Sequence, residues 1–403
     1  MARLHVAGSG AALALVLAAA TACSSDSGGG AAHPPSAAGV PSATSAAPSP
    51  TPNPLATSPV PAGDPTAAAM NAYLQGLAKK GKFTGVAEVV RHGQVLARFA
   101  AGKADEAKNT PNRPDTIFRI ASVSKQFTAM LVLKLQDQGK VKLDDKVCPY
   151  LVPTYIKSCP AAWRPITVRE ILVHTSGIPD ISEMPDFFTK LDQPTTTKEI
   201  ISRFVNKPLD FKPGTGWKYS NSGYILAGAI IEKVTGRSYG EVLQQQITAP
   251  LQLQHTGYSE TDPPDGWAKG YLTVGKPAGH INGSQANAAG GVYTTADDLA
   301  RWDRSFGANL VAPPATVKLA FTSQADCPSG GCLDSPSSGY AFGWLVDRLN
   351  GHRYLYHPGL LEGYHASNVY LPDDDIAVVA LSNVQDTDVN GIARHLAELA
   401  LKP

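Results

Sequence analysis

The chain has strand patterns at both of its ends and helix patterns between them. In the N-terminal part, residues 84–90 and 95–101 predict two strands joined by a turn at His92 and Gly93. The C-terminal part predicts four more short strands and a closing helix, at residues 343–349, 353–357, 366–371, 376–382 and 389–401. Because strands bury their apolar faces by pairing within a sheet, we expect one antiparallel sheet built from both ends of the chain.

The segment between the two strand regions, residues 142–290, is predicted to form helices separated by long loops. Three capping boxes mark helix starts within it, at Thr167 with Glu170, Thr196 with Glu199, and Ser238 with Glu241. Helix patterns also lie at residues 67–80 and after a capping threonine, Thr295. The expected fold class is therefore α/β of the α+β type, with an antiparallel sheet flanked by helices and a helical lobe. Binding sites commonly form in the cleft between two such parts of a protein.

The stretch from Ile120 to Lys125 has the residues for nucleophilic chemistry at the start of a predicted helix. Its spacing is Ser-x-x-Lys, which brings Ser122 and Lys125 onto one helix face about one turn apart. A lysine whose pKa is lowered by burial can take the proton of a neighbouring serine and activate it. Backbone N–H groups at the helix start can stabilise an oxyanion. Taken alone, the motif is a weak signal that favours a serine N-cap followed by a surface lysine.

Overall composition excludes several classes of function. The 403 residues are 43% hydrophobic with a formal net charge of +1, so the chain can bury a large core and has no basic footprint for nucleic acid. Beyond the N-terminus, no apolar run reaches the length that spans a bilayer. The histidines are scattered and lack the His-Glu-x-x-His spacing of a metalloprotease. We therefore expect no metal site, no cofactor and no nucleic-acid partner.

The first 66 residues differ in composition from the rest of the chain. Residues 1–22 resemble a lipoprotein-type signal peptide, with Arg3 before an apolar run and small residues before Cys23. This pattern predicts export with Cys23 lipidated, and ordinary secretion is the alternative. Residues 23–66 are rich in Ala, Ser, Pro and Gly without an aromatic residue, so we expect a disordered tether. The domain at 67–403 would then be anchored to the extracytoplasmic face of the cell membrane.

The four cysteines of the expected domain form two pairs that are close in sequence. These pairs are Cys148 with Cys159 and Cys327 with Cys332. Four cysteines allow three pairings, and local pairing closes the shortest loops. We expect two disulfides, which suit an oxidising compartment. Metal binding is the alternative, but neither pair has the two-residue spacing of a zinc knuckle.

Three segments in chain order extend the pattern around the candidate nucleophile. They are Ser122-Val123-Ser124-Lys125, Tyr219-Ser220-Asn221, and His357-Pro358-Gly359 at the end of a predicted strand. Further matching segments are Phe118 to Ser122, His174 to Gly177, Tyr219 to Tyr224, and Gly290 to Thr294. The set resembles the penicillin-recognising serine hydrolases, which comprise class C β-lactamases, secreted D-alanyl-D-alanine carboxypeptidases and related esterases. The resemblance runs from about residue 66 to residue 401.

The resemblance implies a β-lactamase/transpeptidase-like fold and a role for each matching residue. Ser122 would attack a carbonyl and form an acyl-enzyme, while Lys125 would accept or relay its proton. Tyr219, with a phenol pKa lowered by nearby cations, would return that proton to the leaving group. Asn221 would donate to a substrate carbonyl and accept from Lys125. For His174 a structural role in a turn is expected, and a place in the cleft is the alternative.

The third segment departs from the Lys-Thr-Gly that many members of this family have. His357 stands in place of lysine and would be a part-time cation near neutral pH for a substrate carboxylate. Pro358 removes a hydroxyl and a backbone N–H from the strand. Gly359 would let substrate approach the strand edge, and the N–H of Leu360 with that of Ser122 would form the oxyanion hole. The two departures weaken strict D-Ala-D-Ala recognition and leave room for esters.

The expected function is that of an exported serine hydrolase forming an acyl-enzyme on Ser122, acting as a D-alanyl-D-alanine carboxypeptidase on cell-wall peptides. An esterase or class C-type β-lactamase on the same scaffold is the first alternative. The second is a non-catalytic protein that binds cell-wall peptides or senses penicillin, against which the Ser, Lys, Tyr and Asn argue. The expected partners are a peptidoglycan peptide or a small ester or amide, β-lactams as ligands, and a membrane through the lipid anchor.

Overall fold

The computed structural model describes residues 54–328, 331–333 and 337–402. The predicted signal peptide, Cys23 and the predicted tether up to residue 53 lie outside the described residues. The strands are β1 (Ser58–Pro59), β2 (Gly85–Arg91), β3 (Gln94–Ala101), β4 (Lys103–Asp105), β5 (Thr110–Pro111), β6 (Phe118–Arg119), β7 (Gly257–Tyr258), β8 (Tyr271–Thr273), β9 (Lys276–Pro277), β10 (Val292–Thr294), β11 (Ala325–Asp326), β12 (Gly339–Tyr340), β13 (Leu345–Leu349), β14 (His352–Leu361), β15 (Tyr364–Leu371) and β16 (Ile376–Ser382).

The α-helices include those predicted at both ends of the domain and at the capping boxes. They are α1 (Pro65–Lys79), α2 (Ser124–Asp137), α3 (Cys148–Leu151), α4 (Val168–Leu172), α5 (Thr197–Phe204), α6 (Asn221–Thr235), α7 (Tyr239–Leu243), α8 (Gly283–Gly290), α9 (Ala296–Gly307), α10 (Pro314–Phe321) and α11 (Val389–Ala400). Shorter turns of 3₁₀-helix lie at Ala121–Val123, Ala161–Trp163, Ile181–Glu183 and Phe188–Lys190, and a π-helical turn lies at Gln244–Thr248. All three predicted capping boxes are present.

The largest sheet joins the two ends of the chain, as predicted. Its strand order is β1-β3-β2-β16-β15-β14-β13-β12-β11, and every neighbouring pair is antiparallel except β1 with β3. The junction is the pairing of β2 with β16, where Val89 lies opposite Val378. Both strands are almost entirely buried, so they form the centre of the core.

Helices cover this sheet and hold the candidate nucleophile. Helices α1 and α11 pack against each other and the sheet, and α9 packs on β16 and β2. Helix α2 is buried from Ser124 to Leu133 and contacts α6, α8 and α10. A helix that is buried on every side needs no polar face, which explains its continuous apolar run. The N-terminal end of α2 therefore lies where the helical lobe meets the sheet.

The predicted tether extends too far into the chain, because residues 54–66 pack against the domain. Strand β1 pairs with β3, and Leu55 is 2% exposed. Arg304 donates to the carbonyl oxygens of Leu55 and Pro54. The side chain of Asp64 caps α1 by accepting from the N–H of Ala67. An Ala- and Pro-rich composition conceals these contacts, since they use backbone groups and a single leucine.

Both predicted disulfides, Cys148–Cys159 and Cys327–Cys332, are formed. Within the described ranges, no helix combines the length and the apolar character that crossing a membrane requires.

Candidate active site

Ser122 lies in a short 3₁₀ turn that leads directly into α2. The residue before it, Ala121, has a φ of 46°, a left-handed conformation that is strained for a residue with a Cβ. Pairing of β6 with β10 fixes the chain on entry to this turn, and the N–H of Ile120 donates to the carbonyl of Val292. Ser124 accepts from the N–H of Val292, so the second serine of the motif has a structural bond.

Lys125 is buried beneath the nucleophile and contacts it directly. Its Nζ lies 3.0 Å from Oγ of Ser122, 2.7 Å from Oδ1 of Asn221 and 2.8 Å from the carbonyl oxygen of Ala289. Burial lowers the pKa of Lys125 to about 7, although the negative charge of Asp180 opposes this shift. With two acceptors taking its N–H groups, a neutral Lys125 directs its lone pair at Ser122, which is the arrangement of a base.

Asn221 and Asp180 support this lysine. The Nδ2 of Asn221 donates to both carboxylate oxygens of Asp180, at 3.2 and 3.0 Å, and its backbone N–H donates to Oδ1 of Asp180. The predicted bond with Lys125 is present, and it orients the lysine. Both oxygens of one carboxylate lie in the direction of a single N–H, so the other N–H of the amide is left for the donation to a substrate carbonyl, which stays a prediction.

Tyr219 lies beside the lysine, with its ring centroid 4.8 Å from Nζ of Lys125. Burial raises the pKa of its phenol well above the usual value, and the nearby Ser122 hydroxyl opposes the rise. The pKa is therefore raised where the sequence predicted a lowered one, because loss of water on burial outweighs the interaction with Ser122. Among the described residues, its buried hydroxyl has no hydrogen-bond partner of standard geometry. Tyr219 is thus a protonated phenol with a free donor facing the reacting groups.

His174 holds the segment that carries Tyr219. Its Nδ1 accepts from the backbone N–H of Ser220 at 3.1 Å, and its carbonyl accepts from the N–H of Lys218. Its φ of 64° turns the chain sharply, and its ring lies 4.5 Å from the ring of Tyr219. Burial lowers its pKa well below the usual value, so the ring is a neutral acceptor. These contacts agree with the structural role in a turn.

The surroundings of His357 do not fit the role that was predicted for it. It lies within β14, which continues to Leu361, and it is fully buried. Its Nδ1 lies 2.7 Å from the carbonyl oxygen of Pro358, which only accepts, so Nε2 accepts from the Tyr340 hydroxyl at 3.1 Å. Burial, and secondly the charge of Lys125, lower its pKa to about 3. The expectation of a part-time cation that binds substrate is therefore wrong, since the ring is neutral and faces the interior.

Gly359 places the edge of β14 against the nucleophile turn. A Cβ at this position would lie 2.2 Å from the carbonyl oxygen of Ile120 and 3.3 Å from the backbone nitrogen of Ser122. Only glycine allows this approach. The next residue, Leu360, is 58% exposed and lines the cleft together with Ser122.

The cleft in front of Ser122 has a volume of about 900 Å³ and mostly apolar walls. The aromatic and aliphatic side chains include Phe187, Phe188, Leu191, Leu272, Leu333, Leu360 and Leu361. The charged side chains among its described lining residues are Asp180 and Glu362, and no lysine or arginine is present there. A cleft of this kind offers no fixed cation for a substrate carboxylate.

The comparisons with known proteins agree with this geometry. Residues 70–402 match the family described as Beta-lactamase. The chain belongs to this family. It is 28% identical over 333 residues to penicillin-binding protein 4* of Bacillus subtilis, covering 77% of this chain and 70% of that one. It spans 70% of the length of that relative and 61% of the length of the protein flp of Staphylococcus aureus, to which it is 28% identical.

Two solved structures show the same fold as this beta-lactamase family member. The octameric penicillin-binding protein homologue of Pyrococcus abyssi has a TM-score of 0.72 at 27% identity, covering 83% of this chain and 77% of that one. The D-stereospecific amidohydrolase of a Streptomyces species has a TM-score of 0.67 at 28% identity, covering 81% and 96%. The predicted family and the predicted β-lactamase/transpeptidase-like fold are therefore confirmed.

Two residues of the site in this family member, Asp180 and Tyr340, were not predicted from the sequence. Asp180 follows the His174 to Gly177 segment by three residues, and that position was the only signal that could have found it. Tyr340 precedes its partner His357 by 17 residues and lies in no recognised segment. In the described parts of the chain, no group of three His, Cys, Asp or Glu side chains could hold a metal ion.

Proposed function

We propose that this chain is a serine hydrolase that forms an acyl-enzyme on Ser122. The observation that carries the proposal is the contact between Oγ of Ser122 and a buried Lys125 whose pKa is about 7. An amine with that pKa is partly neutral at neutral pH, so it can accept a proton. A protein that only binds cell-wall peptides has no need of a base aimed at a serine.

The proposed reaction uses three side chains in turn. Oγ of Ser122 bonds to the substrate carbonyl carbon while its proton passes to Nζ of Lys125. The bond from that carbon to the leaving nitrogen or oxygen then breaks, and the leaving atom takes the phenol proton of Tyr219, which Lys125 replaces. Water attacks the acyl-serine ester in the second half, releasing a carboxylic acid and restoring Ser122. The N–H groups of Ser122 and Leu360 are proposed to stabilise both oxyanions.

The charges of the cleft favour an uncharged amide or ester over a D-alanyl-D-alanine carboxylate. The described cleft lining has no lysine or arginine, and His357 is neutral and faces the interior. A substrate carboxylate would therefore lose its water without gaining a charged partner. The similarity to a D-stereospecific amidohydrolase supports an amide substrate. The similarity to a penicillin-binding protein keeps the carboxypeptidase as the second candidate, with β-lactams as its ligands.

Export to the cell surface is also proposed. The two disulfides, Cys148–Cys159 and Cys327–Cys332, suit an oxidising compartment. Lipidation of Cys23 is the proposed means of retention at the membrane.

Intact-mass spectrometry of the protein mixed with 4-nitrophenyl acetate tests the acyl-enzyme. We expect an acetyl adduct in the wild type and in Ser124→Ala, which removes the neighbouring serine of the same motif. We expect none in Ser122→Ala. An equal adduct in Ser122→Ala would contradict the mechanism. So would a wild type that shows neither an adduct nor hydrolysis of the ester above the rate of Ser122→Ala.

A pair of peptides separates the two candidate substrates. An acetylated tripeptide ending in D-Ala-D-Ala and its C-terminal carboxamide differ only in the terminal charge. We expect the carboxamide to be cleaved at least about tenfold faster, because a buried unpaired carboxylate costs more than 1 kcal/mol. Faster cleavage of the carboxylate would favour the carboxypeptidase.

A further inference from the structure

Glu362 is a carboxylate in the lining of the cleft. It lies in the turn between β14 and β15, and its Oε1 accepts from the backbone N–H of Gly279 at 3.1 Å. In the described part of the chain it has no ion-pair partner. Asp180, the other acid of the lining, differs because Asn221 donates to it and Lys125 lies close enough to feel its charge.

The position of Glu362 assigns it to the acyl side of the substrate. The leaving group must lie beside Tyr219, which gives it a proton, and Tyr219 lies 6.2 Å from the ring of His357 near the middle of β14. Glu362 follows the other end of that strand, three residues beyond Gly359. Three residues of extended chain span about 10 Å. An acyl group that is bonded to Ser122 and extends along Leu360 therefore reaches Glu362 with the far end of its side chain.

Most of the wall of the cleft that Glu362 lines is apolar. The apolar side chains include Phe187, Leu272 and Leu361, and Phe188 is 71% exposed. Interactions between charges are stronger where apolar groups exclude water. A substrate cation would thus gain a partner here, and a substrate anion would be repelled.

We infer that Glu362 selects acyl groups that carry a primary ammonium several bonds from the scissile carbonyl. This inference rests on the proposed acyl-enzyme, and it names the substrate class: amides or esters of apolar acids with a distal ammonium. The apolar walls hold the body of the acyl group, and the Oε2 atom of Glu362 binds its charged end.

Three 4-nitrophenyl esters that share one ring and differ in the charge of its 4-substituent test this inference with the full chain. The acyl groups are 4-(aminomethyl)phenylacetyl, 4-ethylphenylacetyl and 4-(carboxymethyl)phenylacetyl, which carry a positive charge, no charge and a negative charge on one rigid frame. We expect kcat/KM to fall in that order, by about tenfold from the ammonium to the neutral ester. Glu362→Gln should reduce that ratio to near one with little change for the neutral ester. Glu362→Lys should make the carboxylate ester the best substrate.

Glu106→Gln is the matched control, because Glu106 also accepts a glycine N–H, from Gly275, and does not line the cleft. Its ratio should equal that of the wild type, and rates with Ser122→Ala supply the background hydrolysis. Equal rates for the three esters, all dependent on Ser122, would overturn this inference alone. A ratio unchanged in Glu362→Gln would do the same. Failure to hydrolyse any ester would overturn the proposed function and this inference together.

Discussion

At the scale of single residues, burial decides the chemistry of this site more than neighbouring charges do. It lowers the pKa of Lys125 to about 7 and that of His357 to about 3, and it raises the pKa of Tyr219. The same loss of water favours the neutral form of all three side chains, as the proposed roles of a base, a neutral hydrogen-bond partner and a proton donor require. Only the first of these effects was predicted from the sequence, because the depth of a side chain depends on the whole fold.

The pH dependence of activity follows from Lys125. The base must be neutral, so kcat/KM should rise as pH increases through about 7 and level off above it. The charge of Asp180 raises the pKa of Lys125, so Asp180→Asn should move this rise to lower pH by about 1 unit. A pH profile of kcat/KM for both proteins measures the shift.

The control for this shift is Asp186→Asn, an equal change in the same loop. Asp186 pairs with Lys190 and Arg203 and has no bond to the lysine of the site. Its profile should keep the midpoint of the wild type. A midpoint that stays in place or moves upward in Asp180→Asn would show that Lys125 is not the titrating base.

At the scale of elements, the sequence predicts what local patterns encode and fails where distant segments meet. The three capping boxes, the hairpin at His92 and the closing helix were all predicted, since each depends on neighbouring residues. The motif segments correctly brought Ser122, Lys125 and Asn221 together. Strand β14 was predicted to end at His357, but pairing with β15 continues it through Pro358 to Leu361.

Because β14 lies so close to the turn that carries Ser122, adding one methyl group at Gly359 should reduce activity. In Gly359→Ala the new Cβ would meet the carbonyl oxygen of Ile120 at 2.2 Å, so the strand must move away from Ser122. A displacement of about 1 Å in an active site can cost about 100-fold in rate. We expect that loss in kcat/KM, with a decrease of about 2 kcal/mol in the free energy of unfolding.

Gly76→Ala is the comparison for this substitution. Gly76 lies within α1, and a Cβ there would meet no atom within 4 Å. This variant should keep full activity and gain about 0.5–1 kcal/mol of stability, because alanine favours the helix. Wild-type activity in Gly359→Ala, measured by ester hydrolysis at equal enzyme concentration, would contradict the close approach.

At the scale of the whole molecule, packing sets the N-terminal boundary of the domain, and the composition of that segment does not reveal it. Residues 54–66 have the composition of a tether, yet β1 extends the sheet and Leu55 is buried. Arg304, from α9, donates to the carbonyl oxygens of Pro54 and Leu55. This segment therefore connects the edge of the sheet to α9, which packs on the centre of the sheet. The two contacts are far apart in the sequence, so local patterns do not predict them.

Stability measurements distinguish this packed segment from a free tether. Leu55→Ala should lower the free energy of unfolding by about 2–3 kcal/mol, because it removes buried methyl groups and leaves a cavity. Leu310→Ala, at a leucine that is 46% exposed, should change it by less than about 1 kcal/mol. Urea denaturation of the purified protein gives both values, and activity should be unchanged because neither residue lines the cleft. Equal and small effects would mean that the predicted tether extends to residue 66, since a leucine in a disordered segment buries nothing that its substitution could lose.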